Sequence, residues 1–227
     1  MYPPSHRERC VPDIFDEVEE ELRAERAQKF LTQYAGLILG AVLLVVAAVA
    51  GWQAWRWHQA KQDQQAGAAY ISAMLAEGQP SGAGNAAALN VFDALAGKAP
   101  EGYRTLARFQ AAALQAQTGH LNQALDLWTA IAADSGADPL LRDLATLLWA
   151  QHQVDSGDPA IVRARLEPLA DAPGPWRALA QEQIALLDLR QGRTDQAKQT
   201  LAALRNAADA PPGVKERATA LLARLGA

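Results

Sequence analysis

Four histidines, a single cysteine and one glycine-rich stretch are the groups in this chain with the most chemistry available to them. His6, His58, His120 and His152 each stand away from any second His, Cys or acidic pair at metal-ligand spacing. His120 adjoins Gly119 and His152 falls inside a helical pattern, so both read as surface or half-buried polar residues. One cysteine, Cys10, allows neither an internal disulfide nor a thiolate metal cluster. It follows "HRER" rather than an apolar stretch, so it is an incidental thiol and no lipid acceptor. "GQPSGAGN", residues 78–85, lacks the G-x-x-x-x-G-K-[ST] form that cradles phosphate and reads as a loop between helices. "DAPGPW", residues 171–176, is a second turn, with Pro175 preset for the start of the helix after it. No serine sits in a nucleophile-elbow frame. The expectation is a protein without catalysis, cofactor, metal or small-molecule substrate, whose elements must be read for surfaces instead.

Those elements are helices. Alanine and leucine dominate, aromatics make up 6% of the chain, and period-two runs of β-branched residues are nearly absent. The 227 residues, half of them apolar, suffice for one medium domain plus a small extra element. A net charge of −4 without a dense Lys/Arg stripe excludes the electrostatic footprint of a nucleic-acid binder.

The extra element is "LGAVLLVVAAVAGWQAWRW", residues 39–57. No charge occurs between Lys29 and Arg56, room enough for the roughly 20 apolar residues that cross a bilayer core. Tyr34 stands at one end and Trp52, Trp55 and Trp57 at the other, where amphipathic rings settle at headgroup depth. Tyr34 to Trp52 spans about 27 Å of helix. Ala48-Val49-Ala50 before Gly51 has the form of a signal-peptidase site, and cleavage there would release a soluble protein beginning at Gly51. Against cleavage, the residues upstream include the acidic run "DIFDEVEEELRAE", unlike a short basic n-region. The segment is therefore expected to stay.

Lys and Arg set its direction. Arg7, Arg9, Arg23, Arg26 and Lys29 precede the span and only Arg56 and Lys61 closely follow it, which places the N-terminus in the cytoplasm and the C-terminal part outside, in the periplasm of a Gram-negative cell. The expected division is a cytoplasmic acidic amphipathic arm at 1–30, a transmembrane helix at 31–57 and a periplasmic repeat domain at 58–227. In the arm, Asp13 can cap a helix whose stripe holds Ile14, Phe15, Val18 and Leu22, with Glu19–Arg23 and Glu25–Lys29 as i,i+4 pairs. Two roles are open to it: a solvated lead-in to the membrane, or a docking helix for a membrane partner.

The remainder repeats. "YRTLARFQAAALQAQTG" from Tyr103, "LRDLATLLWAQHQVDSG" from Leu141 and "WRALAQEQIALLDLRQG" from Trp176 share a bulky residue, Arg, any residue, Leu and Ala, then Gly twelve positions later. Arg104, Arg142 and Arg177 are spaced by 38 and 35, as are Gly119, Gly157 and Gly192. Each glycine reverses the chain, because it tolerates the left-handed conformation. A second segment follows each: Ala124/Trp128/Ile131, Val162/Leu166/Leu169 and Ala197/Leu201/Leu204, with Ala88/Phe92/Leu95 one unit earlier after a helix around residues 66–77. "GVKERATALLARL", after Pro211-Pro212, brings Val214, Ala218, Leu221, Leu222 and Leu225 over the last unit as a cap.

A helix pair with a small residue inside the first helix, here Ala112, Ala150 and Ala185, and Ala, bulky and apolar residues in the second resembles the tetratricopeptide repeat. The signature Trp and Tyr of the first helix and a regular closing Pro are missing, so these are degenerate copies. The order of parts, "IFDEVEEELRAER", one uncleaved span ending in "GWQAWRW", then divergent repeats, resembles the ancillary SecYEG translocon subunit family, especially its short alphaproteobacterial-type members. That resemblance implies a single-span bacterial inner-membrane protein whose periplasmic repeats associate with the Sec translocon and with membrane-tethered periplasmic folding factors. The fold implied is all-α: one N-terminal transmembrane helix, a tetratricopeptide-like α-solenoid of about four helix pairs, and a capping helix.

In such a solenoid the first helices line a concave face. The repeat frame puts Leu106, Phe109, Gln117, Leu144, Leu147, Gln151, Leu179, Glu182, Leu186 and Leu189 there, an apolar groove with polar posts suited to an amphipathic helix or extended apolar segment. The other reading of these leucines is filling for a tighter superhelix. For function, a scaffold at the export channel stands beside a structural interaction protein of the envelope or division machinery using the same repeats.

Overall fold

A computed structural model describes the backbone of residues 14–77 and 82–226, and the side chains of 34–77 and 84–226. The amphipathic stripe and ion pairs expected in the arm, like part of the 78–85 loop, lie outside the described residues. All regular structure described is helical: α1 (Ile14–Glu77), α2 (Gly82–Lys98), α3 (Glu101–Gln117), α4 (Leu121–Ala133), α5 (Pro139–Gln153), α6 (Pro159–Asp171), α7 (Arg177–Arg190), α8 (Thr194–Asn206) and α9 (Pro212–Arg224). The chain divides between Ala60 and Lys61 into two units.

In the N-terminal unit, the apolar stretch of α1 is exposed throughout its described part, with Leu37, Leu39, Leu44 and Val45 all turned outward. An exposed run of leucine and valine of this length marks a candidate membrane span. Among the described residues, this helix alone is long and apolar enough to cross a membrane, with a mean hydropathy of 2.4 over its most apolar window.

In the C-terminal unit, the end of α1 pairs with α2, α3 with α4, α5 with α6 and α7 with α8, and α9 closes the stack. Each second helix sends its predicted triplet inward: Ala88 and Phe92, Ala124, Trp128 and Ile131, Val162 and Leu166, Ala197, Leu201 and Leu204 are buried, while Leu95 and Leu169 pack at the margin. Ala112, Ala150 and Ala185 are fully buried at the close approaches between helices. Because packing is near crystalline in density, a larger side chain at these alanines costs about 1–3 kcal/mol.

The turns divide into two kinds. At Gly119 and Gly192 the chain is left-handed, with φ 86 and 75. His120 N–H reaches Gln115 O at 2.8 Å, and Arg193 N–H reaches Asp188 O at 2.8 Å, the six-to-one bond of a Schellman ending. Gly192→Ala should lower stability by about 1 kcal/mol, the cost of a Cβ in this region, read as a shift in urea midpoint without a change in slope. Gly157 corrects the simple rule, since its φ is not positive. Glycine serves there because a Cβ would meet the Gln153 carbonyl oxygen at 2.9 Å.

Helix starts follow short local signals. Asp138 accepts from Leu140 N–H and Asp158 from Ala160 N–H, each at 2.8 Å, with Pro139 and Pro159 in first position. Pro175 does not play that part: α7 begins at Arg177 behind Trp176, and the proline belongs to the preceding turn, closed by Arg177 N–H on Gly174 O.

Side chains tie one pair to the next. Arg190 donates to the carbonyls of Val154 and Gly157, both at 2.6 Å, so α7 holds the turn between α5 and α6. The Trp176 indole N–H donates to Leu140 O at 3.0 Å, and Arg163 pairs with Asp188. Between α4 and α5 the contact is aromatic: the His152 and Trp128 rings stack with centroids 4.8 Å apart. Packing against Trp128 partly desolvates this otherwise exposed ring, which disfavours the imidazolium and lowers the His152 pKa from its ordinary 6.5. As pH falls, the unfolded chain therefore takes up this proton first, so the stability contribution is complete above 6.5 and is lost as pH drops through the lower folded value. His152→Gln should flatten this part of the acid limb in thermal melts between about pH 7.5 and 5.

Candidate partner-binding groove

Helices α5, α7 and α9 stand side by side, first helices of successive units with the cap as the third wall. Between them runs a groove of about 520 Å³. Gln151 comes from α5, Glu182, Gln183 and Leu186 from α7, and Arg217 and Leu221 from α9.

Its fixed centre is an ion pair. Glu182 is 3% exposed, and its two oxygens accept from Arg217 Nε and Nη2, each at 2.6 Å. A buried carboxylate needs such a partner, and the fork geometry of guanidinium meets both oxygens at once. The pair locks α9 to α7 and sets the groove's width. Asp155 and Arg224 add one charge of each sign to the lining, and Leu186 and Leu221 supply its apolar wall. This surface suits a helix or extended segment with an apolar stripe and polar flanks.

Of the residues that the repeat frame placed on the concave face, Gln151, Glu182 and Leu186 line this groove. Leu147 is buried in the core against Ala150, Val162 and Leu166. Leu179 and Leu189 are half-buried against the α7–α9 core, and Phe109 against that of α3–α5. Leu106 and Gln117 are exposed on α3 and Leu144 is half-buried on α5, none of them in the groove. Sequence reasoning missed Arg217 and Arg224, whose i,i+7 spacing puts both on one face of α9. That spacing was the available signal, and it was hidden by reading α9 only as a cap.

The expected membrane-interface rings, Tyr34, Trp52, Trp55 and Trp57, are all exposed on α1, and Trp52 and Trp55 lie 5.7 Å apart between centroids. Among the described residues no three His, Cys, Asp or Glu side chains gather as metal ligands.

Stacked helix pairs around an open groove define an α-solenoid, a class that works through protein-protein contact. Residues 28–147, more than half of the chain, match the sequence model of the tetratricopeptide repeat-like domain, and the chain belongs to that family. The match takes in α1 from residue 28 and ends within α5, and α6 to α9 continue the same packing. No curated protein and no solved structure matches the chain.

Proposed function

We propose that this chain is a non-enzymatic, single-span scaffold of the bacterial inner membrane that works at the Sec translocon. The supporting observation is the joining, in one helix, of an exposed apolar span to the first element of an interaction-class repeat domain. Residues 1–30 form the cytoplasmic arm, 31–57 the span and 58–227 the periplasmic domain. The five Lys and Arg before the span against two just after it support this direction. Tyr34, Trp52, Trp55 and Trp57 anchor the span at the two interfaces of the bilayer. The groove of α5, α7 and α9 takes an apolar stripe of a periplasmic folding factor or client, and the order of arm, span and repeats supports the translocon as the place of action.

The test is brief cross-linking in native membranes, purification of the tagged full chain in mild detergent, and mass spectrometry of what accompanies it. Enrichment of channel subunits and periplasmic folding factors over abundance-matched membrane proteins, lost with Leu186→Glu, supports the reading. Recovery of division or envelope-assembly proteins instead overturns the translocon role and favours a structural envelope scaffold.

A further inference from the structure

A second cleft, of about 690 Å³, shares no residue with the groove of α5, α7 and α9. Second helices build it: Thr129 comes from α4 and Arg165, Pro168 and Leu169 from α6, while the start of α5 and the 172–176 turn supply the remaining walls. Most of that lining is apolar, and Leu140 in it is 51% exposed. The walls are also preset. Proline fixes its own φ, and Pro173 and Pro175 bracket Gly174 beside Trp176, whose indole is tied to the Leu140 carbonyl at 3.0 Å. A cleft held open in this way meets a ligand without first having to order itself.

Its charge is not neutralised. The Arg165 Cζ lies 3.8 Å from the centroid of the Trp149 ring, which holds the guanidinium in place. To the described residues its N–H groups make a single hydrogen bond, from Nη1 to Thr129 Oγ1 at 3.5 Å, the weak end of the range. Nearby arginines are matched: Arg163 pairs with Asp188, and Arg177, in the same cleft, pairs with Asp209. No described carboxylate pairs with Arg165. Asp143, the one acid in the lining, is exposed and forms no ion pair with it. A half-buried guanidinium with idle donors in an apolar cleft is complementary to a carboxylate. We infer that this cleft docks a protein segment that brings one Asp or Glu side chain to Arg165 and lays apolar residues beside it against Leu140, Leu169 and Trp176. The repeat class to which the chain belongs works through protein contact, which favours a peptide over a small acid. Asp143 limits the segment to one acid, since a second carboxylate near it would be repelled. This docking depends neither on the translocon nor on the other groove.

The test is selection of a phage-displayed random peptide library on the full chain in detergent micelles, followed by fluorescence polarisation of the selected peptides after labelling. Peptides of this cleft should bind Leu186→Glu, altered in the other groove, as they bind the parent chain, and bind Arg165→Gln about tenfold more weakly. They should carry one Asp or Glu next to apolar residues. Changing that acid to its amide should cost the same factor, with no further loss when both changes are combined. Arg165→Lys keeps the charge without the fork and should recover part of the binding. Asp143→Asn should tighten the same peptides about twofold, a gain that misfolding does not produce. Arg165-dependent peptides that lack an acid overturn the docking, as does a selection in which no peptide depends on Arg165. Hexanoate binding as tightly as the peptides would make the occupant a small acid, and self-association of the chain lost with Arg165→Gln would make it a second copy. Either result overturns a peptide site.

Discussion

Trp128→Ala lowers the stability of the repeat domain by about 3–5 kcal/mol, the range for removing a fully buried aromatic side chain. Trp128 is 2% exposed and packs among Ala112, Ala124, Ile131 and Ala145, of which the three alanines are too short to close the space it leaves. The loss falls on the join between α4 and α5, where its ring also stacks on His152. In a stack of pairs that contact only their neighbours, such a break separates the two ends. Urea unfolding of the full chain in detergent micelles should therefore change from one transition to two, with α2 to α4 melting first. Trp128→Phe should cost much less. The indole N–H makes no hydrogen bond, so phenylalanine gives up volume and no polar contact. If Phe were as damaging as Ala, packing would not be the cause.

The second large effect is conditional. Asp188 is buried, its side chain 5% exposed, and it pairs with Arg163 from α6 and with Arg193, whose Nε lies 2.8 Å away, in the turn after α7. Removing either arginine leaves the other in place, so each single alanine variant should lose less than about 1 kcal/mol, as for other partly exposed pairs. Removing both leaves a buried carboxylate with no cation and should cost about 3–5 kcal/mol, well beyond the sum of the singles. Asp188→Asn added to the double variant should restore most of the loss, because an amide needs no counter-charge. A double-mutant cycle in urea checks this, and additive singles would mean that water reaches Asp188 in the fold and replaces the lost cations.

The helix pairs themselves were legible without coordinates. The triplet of Ala124, Trp128 and Ile131 and its counterparts are patterns within a single helix, set by a period of 3.6 and by which side chains avoid water. Gly119 and Gly192 were legible for a similar reason, since the left-handed turn is a property of one residue and its immediate neighbours. The long uncharged stretch was legible as a candidate membrane span by composition alone.

What the tertiary structure decided was how one pair is rotated and set against the next. Leu147 and Glu182 share one place in the repeat frame, five residues after Arg142 and Arg177, yet the first packs in the core and the second lines the groove. Glu182 reads from its frame as an exposed polar post and is in fact buried, because Arg217 arrives from the capping helix 35 residues later. Gly157 occupies the slot of a left-handed glycine and serves close packing against Gln153 instead. Such outcomes depend on pairings such as Arg217 with Glu182, Arg163 with Asp188 and Arg190 with the Val154 and Gly157 carbonyls. Each joins residues 25 to 36 positions apart in sequence. A helical period carries no information at that range. The sequence by itself determined which residues form helices, where the chain turns and which segment is long and apolar enough to cross a membrane, because those depend on near neighbours. The tertiary structure alone decided which side chains of the first helices remain open to a partner, because that depends on contacts between helices.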